Sequence, residues 1–369
     1  MAHIVGRSHR SRIASDLMQQ CVTLMRSLLD IPPSYAVCFI NGSATAAVEA
    51  AIYSLITGDV SVVVNGVFSR RWCEDVCALS QNVYQFSHEE MLGVQSFPAG
   101  DVVFCACETM NAKMIHTHEI ASRKADNGLL ICDATSVVFG IPIDCAALDA
   151  VAFSLQKMLG CEPGIGVLVL SPEALQRAQD VDAMRHIPHL LNIAGMMRTT
   201  QKYSVIRSSR IDNVASHQMM LSNTISLCLM QEFLENMQYL QDVGGVHEAQ
   251  NIIAANYQAL REAVQSSHIL ELAYLDERSG ASASVDSEVK HVGYIKYREE
   301  LLRATRFSHD SDYREAYSIV ATWLEENDLA YDIFSPALPC FRFWLGPWID
   351  SISVRNLVKL LEKAFHAVL

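Results

Sequence analysis

The sequence is short of positive charge: 28 Lys and Arg stand against 41 Asp and Glu, a formal net charge of −13. No stretch concentrates basic side chains on one face, which argues against nucleic acid as a partner. Charged residues of both signs make up only 19% of the 369 residues while 50% are hydrophobic, so a disordered chain is excluded as well. Any apolar run of membrane-spanning length is missing, and the polar opening MAHIVGRSHRSRIASD holds no apolar core of the kind a signal peptide needs. A cytoplasmic setting with no membrane partner is the expectation. The 11 Cys and 13 His show no convincing zinc spacing. Cysteines such as Cys38, Cys105, Cys107, Cys132 and Cys228 sit in apolar segments, where a thiol behaves as a small hydrophobe, so buried free thiols and no metal are expected. No internal repeat or low-complexity linker interrupts the chain.

What is present is enough chain for a large domain and a smaller one. Apolar positions at helical spacing run from Ser11 to Leu29, and Ile31-Pro32-Pro33 ends them. A strand-like run, Tyr35–Ile40, then leads through the small-residue turn Asn41-Gly42-Ser43-Ala44-Thr45 into the helical stretch Ala46–Leu55. Strand, small polar turn and helix in that order point backbone N–H groups and a helix dipole at a phosphate. The alternation continues with strands at 60–64, 101–107, 129–132, 151–154 and 166–170. Continuous apolar strands alternating with helices indicate a parallel sheet covered on both faces. From His217 onward the texture changes to long helical stretches, Gln218–Met237 and Val246–Gln265, with short alternating segments and a final amphipathic helix over Ser351–Leu369. The expected division is a large domain over 1–245 and a small α+β domain over 246–369.

Two residues raise a chemical question. Asp133 stands at the end of the apolar strand Leu129–Cys132, and Lys157 follows the apolar strand Val151–Ser154. A carboxylate at a buried strand end is costly unless something pairs with it. Pyridoxal phosphate chemistry accounts for both residues, because it needs a lysine to bind the cofactor covalently and a carboxylate to keep the pyridine nitrogen protonated. Each also has a plainer reading: Lys157 as a surface lysine in a strand-to-helix loop, and Asp133 as a strand-end cap.

The run from Leu129 to Leu175, LLICDATSVVFGIPIDCAALDAVAFSLQKMLGCEPGIGVLVLSPEAL, resembles the cofactor-lysine region of the class V aminotransferases. Within that family its FSLQKMLG most resembles the phosphoserine aminotransferases. GRSHRS at 6–11, NGSATAAVEAA at 41–51 and NGVFSRRW at 65–72 fall in the family's order, as do GGVHEAQNIIAANYQAL and PCFRFWLGPW further on. The resemblance implies a fold-type I α/β transferase with a mostly parallel seven-stranded sheet, a small C-terminal α+β domain, and pyridoxal 5′-phosphate bound to Lys157 as a Schiff base. It also implies that Ser43, Ala44 and Thr45 meet the cofactor phosphate and that Phe68 stacks on the ring. Thr109 would lie beside the ring, Asp133 would pair with its nitrogen, and Gln156 would complete the site. Arg342, between aromatics in Phe341-Arg342-Phe343-Trp344, would hold the substrate α-carboxylate, for which a guanidinium fork is suited. His9 and Arg10 would bind a substrate phosphate across the interface of a homodimer, and Asn213 would reach the neighbouring subunit's cofactor phosphate.

The implied reaction exchanges an amino group between L-glutamate and 3-phosphohydroxypyruvate, a step of serine biosynthesis. The chain departs from the family in three places. Relatives carry a further N-terminal segment with a Ser-Gly-Pro turn, so part of the substrate pocket is expected to be missing. The family's Asn-Thr pair is Asn213-Val214 here, and the loop Glu108–Ala112 lacks the usual glycine. Two alternatives follow. One is another class V transaminase, of the 2-aminoethylphosphonate–pyruvate or serine/alanine–glyoxylate type. The other is a non-catalytic relative that keeps the scaffold.

Overall fold

The computed structural model describes residues 4–98, 100–125, 127–207, 219–273, 290–305, 307, 313–334 and 340–369. Asn213, Val214 and the loop 278–284 lie outside the described residues. The chain divides into two compact units, Met1–His247 and Glu248–Leu369.

The first unit opens with α1 (Arg12–Leu28), capped by Ser11, whose side chain accepts a bond from Ala14 N, and buried along Leu17, Met18, Cys21 and Met25. There follow β1 (Ala36–Asn41), α2 (Ser43–Leu55), β2 (Val60–Val63), α3 (Val67–Leu79), β3 (Val83–Phe86), α4 (His88–Gly93), β4 (Asp101–Cys105) and α5 (Thr117–Ala121). Next come β5 (Leu130–Asp133), β6 (Ala150–Ser154), β7 (Ile165–Leu170), α6 (Pro172–Met184), α7 (Ile193–Arg207), β8 (Met219–Leu221) and α8 (Leu227–Asp242). α9 (Gly245–Gln265) leads into the second unit.

The strands form one sheet in the order β3-β2-β4-β5-β6-β7-β1-β8. Every neighbouring pair is parallel except at β7, which runs antiparallel to both β6 and β1. Strands β1, β2, β4, β5 and β6 therefore all run the same way, and their C-terminal ends share one edge of the sheet. In open α/β sheets that edge is where ligands bind. Central strands such as β4, β5, β6 and β7 are buried at every position, which is why they read as unbroken apolar runs.

The sheet carries eight strands where seven are expected. The two edge strands are the ones that apolar runs do not betray. β3 is half exposed, as Val-Tyr-Gln-Phe, and β8 has three residues. Likewise the stretch read as helical from Gln218 holds β8 first, and its helix starts only at Leu227, where Ser226 caps it. All eleven cysteines are free, and only Cys77 and Cys228 are exposed.

The second unit contains an antiparallel sheet, β9 (Leu270–Leu272), β10 (Val292–Tyr297) and β11 (Phe341–Trp344), with β10 in the middle. It also holds α10 (Glu299–Arg303), α11 (Tyr313–Glu326) and α12 (Ser351–Val368). Its core is aromatic: Tyr297 and Tyr317 stack at 5.8 Å, and the Tyr297 hydroxyl donates to Leu361 O at 2.9 Å. No described helix is long and apolar enough to cross a membrane.

Candidate active site

Five strand ends at one sheet edge carry candidate site residues. β1 hands over to α2 through Gly42, at φ 114°, and Ser43, at φ 57°. That left-handed pair turns the chain sharply. It is pinned against the start of β7: Gly42 N donates to Gly164 O at 2.9 Å, and Gly164 N donates to the Ser43 hydroxyl at 3.0 Å. A side chain at Gly166 would overlap the Ser43 carbonyl, so only glycine allows α2 to begin so close to the sheet. Among the described residues, the N–H groups of Ala44 and Thr45 meet no acceptor. Ser43, Ala44 and Thr45 are partly exposed. Open N–H groups, two hydroxyls and a helix N-terminus suit an anion such as phosphate.

β5 ends on Asp133, which is 7% exposed. Its Oδ1 accepts from Thr135 N at 3.0 Å and from the Thr135 hydroxyl at 2.6 Å. Its Oδ2 accepts from the Trp72 indole N–H at 3.0 Å, with the Cys105 thiol at 3.9 Å. Burial pushes the Asp133 carboxyl above the usual carboxylate range, against the lowering by these bonds, and the nearby Glu108 adds to the rise. A cationic ring N–H is the kind of partner that would offset this desolvation. β6 lies next to β5, with Asp133 in register with Ala152, and leads past Ser154 into the bend that carries Gln156 and Lys157. Both side chains are partly buried. The Ser154 hydroxyl and Gln156 Oε1 are buried without a hydrogen-bond partner. Buried polar atoms of that kind call for a polar group in the space they face.

β4 leads into Glu108 and Thr109, both buried. The Thr109 and Ser136 hydroxyls bond to each other. Glu108 grips the first turn of α3: Oε2 accepts from Phe68 N at 3.1 Å, and Oε1 accepts from Ser69 N and the Ser69 hydroxyl, each at 2.6 Å. The Ser69 hydroxyl in turn accepts from Asn65 N and Gly66 N, both at 3.0 Å. This clasp sets Phe68, which packs partly buried against the core, at the end of β2.

Ser43, Ala44, Thr45, Phe68, Thr109, Asp133, Gln156 and Lys157 thus all follow strands that end at the same edge. The residues present fit pyridoxal phosphate: an anion cradle, an aromatic face, a buried carboxylate and a lysine. His9 and Arg10 do not follow one of these strands. They precede α1, Arg10 exposed and His9 partly so, with burial and then Arg10 holding His9 below its ordinary value. Arg342 belongs to the second unit, on β11 opposite Tyr294, where Phe341 and Phe343 face the core and Arg342 alternates to the other side. Asn213 lies outside the described residues. Among the described residues no group of three or more His, Cys, Asp or Glu could hold a metal.

The sequence assigns no site role to Trp72 or Glu108, which enter it only within the run 65–72 and the loop 108–112. Trp72 is four residues beyond Phe68 on α3, and that spacing places both on one helix face. Glu108 is, like Asp133, an acid directly after an apolar strand.

Comparison with known proteins agrees with this architecture. The Aminotransferase class-V family pattern matches residues 99–285, just over half of the chain. Among curated relatives, a phosphoserine aminotransferase of Methanosarcina barkeri is 24% identical over 373 residues, covering 98% of this chain and 91% of its own length. A phosphoserine aminotransferase structure from Cytophaga hutchinsonii aligns with a TM-score of 0.75 at 18% identity, covering 98% of this chain and 92% of that one. An aspartate aminotransferase of subgroup IV from Thermus thermophilus aligns at 0.69, also 18% identical, covering 98% and 93%. At those identities the structures establish the fold, which is that of the fold-type I transferases. With the family pattern spanning β4 to β9 and the lysine and carboxylate lying inside it, the chain belongs to the class-V aminotransferases, enzymes whose transamination depends on pyridoxal phosphate.

Proposed function

We propose that this chain exchanges an amino group between L-glutamate and 3-phosphohydroxypyruvate, giving 2-oxoglutarate and phosphoserine, as a cytoplasmic homodimer serving serine biosynthesis. The observation that carries the cofactor assignment is the buried Asp133 carboxylate, at the end of β5 beside the strand that leads to Lys157. The choice of substrate is supported by relatives named phosphoserine aminotransferase that match nearly the whole chain.

In this reading Lys157 would hold the cofactor through its Nζ, and the same amine would act as the base toward the amino donor's Cα proton. Bound pyridoxal phosphate supplies the electron sink for the charge that develops at Cα. Asp133 would keep a proton on the ring nitrogen. Ser43, Thr45 and the open N–H groups of α2 would hold the phosphate, Phe68 would pack on the ring, and Thr109 and Gln156 would complete the site. Arg342 grips the α-carboxylate common to all donors. His9 and Arg10 would grip the distal phosphate.

The test is the visible spectrum of the purified protein before and after L-glutamate or phosphoserine. Both donors should discharge the cofactor band, and 2-oxoglutarate should appear when glutamate and 3-phosphohydroxypyruvate are supplied together. A band that ignores phosphoserine but responds to another amino donor would overturn the substrate choice. A second reading keeps the site and changes the donor, because the aspartate aminotransferase fold is almost as similar as the phosphoserine one.

A further inference from the structure

Helix α3 reaches the candidate site twice. Phe68 lies in its first turn, and Trp72, one turn later on the same face, is 1% exposed and donates its indole N–H to Asp133 Oδ2 at 3.0 Å. An ionised carboxylate offers about four acceptor positions. Thr135 occupies two on Oδ1 through its N–H and its hydroxyl, and Trp72 occupies one on Oδ2. Among the described residues, the remaining Oδ2 position has only the Cys105 thiol near it, at 3.9 Å, and a thiol is a weak donor. We propose that Trp72 is a positioning residue for cofactor binding: its indole N–H fixes the orientation of the Asp133 carboxyl group, leaving one strong acceptor position on Oδ2 for a protonated ring nitrogen.

The proposal rests on the assignment of Asp133 to the cofactor ring. The bond from Trp72 is one of the three contacts that hold the carboxyl down against burial, and the other two come from Thr135. The titratable groups near Asp133 are Glu108 from the loop after β4, Cys105 at the end of β4 and Cys132 beside it on β5. The acid raises both thiols further above burial's own effect. None of the three supplies a positive charge to Asp133, so its ionisation relies on neutral donors. Removing one of them favours the protonated acid, which cannot pair with a cationic ring.

The experiment uses full-length holoenzyme and follows retention of pyridoxal 5′-phosphate by absorbance as a function of pH. Three proteins are compared: wild type, Trp72→Phe, and a protein with the benzothiophene isostere of tryptophan at position 72, which keeps shape and loses only the N–H. The acidic inflection of cofactor retention should rise by about one pH unit in both altered proteins, the change expected when a hydrogen bond to a charged group is lost. Only Trp72→Phe should also lose thermal stability, because only it leaves a cavity. If Trp72→Phe does not fold, the isostere decides alone. A wild-type retention curve in the isostere would reduce Trp72 to a packing residue and overturn the proposal. A wild-type protein that binds no pyridoxal phosphate would instead sink the assignment of Asp133 itself.

Discussion

The clasp between Glu108 and α3 offers a graded test of how the site is held. Three donors converge on one fully buried carboxylate: Phe68 N on Oε2, and Ser69 N and the Ser69 hydroxyl on Oε1. In Glu108→Gln the amide oxygen can keep the Ser69 pair, but its NH2 group then faces the Phe68 N–H. One mismatched buried donor costs about 1–3 kcal/mol. Glu108→Ala orphans the Phe68 and Ser69 N–H groups, leaves the Ser69 hydroxyl only its longer bond to Gly66 O at 3.3 Å, and opens a cavity. The losses do not add fully because they share one carboxylate, and roughly 3–5 kcal/mol is expected from about 1–3 for unsatisfied buried N–H groups together with the cavity. For a unit of this size each kcal/mol lowers the melting temperature by about 2–4 °C. Calorimetry should therefore show a fall of about 2–12 °C for Gln and about 6–20 °C for Ala in the transition of the large unit. Gly66→Ala should act from the other side, since a Cβ there would overlap the Glu108 carboxyl group, and overpacking of this kind costs about 1–3 kcal/mol. An alanine variant that melts within about 2 °C of wild type, or a glutamine variant as damaged as alanine, would refute the clasp as a stabilising element.

Replacing Lys157 by Ala should abolish the borohydride-reducible linkage to pyridoxal phosphate, and a linkage found on another lysine would refute its role. Arg342→Ala should weaken glutamate and phosphoserine alike, whereas Arg10→Ala should weaken phosphoserine about ten- to a hundredfold and leave glutamate nearly untouched. Equal penalties on both donors in Arg10→Ala would remove the reason for preferring a phosphorylated substrate. In the cofactor-free protein, burial raises the Asp133 carboxyl, so the folded state holds a proton that the unfolded chain has already lost. Stability from this group then falls as pH rises through the raised value and returns as pH falls, so the melting advantage of Asp133→Asn should grow as pH rises from the ordinary carboxylate range through the raised value. A pH-independent difference would contradict that sign.

The local features were legible in the sequence because each rests on neighbouring residues. Unbroken apolar runs mark β4 to β7, since strands covered on both faces tolerate nothing else. The small residues after β1 announce the turn into α2, and Asp133 and Lys157 stand out because charge is rare beside such strands. Edge strands carry a weaker signal, and so β3, with two exposed positions, and the three-residue β8 escape a reading based on apolar runs. What only the tertiary structure decided is which distant residues meet. The strand order brings the ends of β1, β2, β4, β5 and β6 to one edge, although β1 and β6 are neighbours only through the antiparallel β7. Trp72 and Asp133 are 61 positions apart, and Glu108 and Ser69 are 39 apart. No periodicity in a single chain encodes such pairs, because the free energy that selects them comes from packing α3 onto the sheet, where burial makes a satisfied carboxylate far more favourable than an orphaned one.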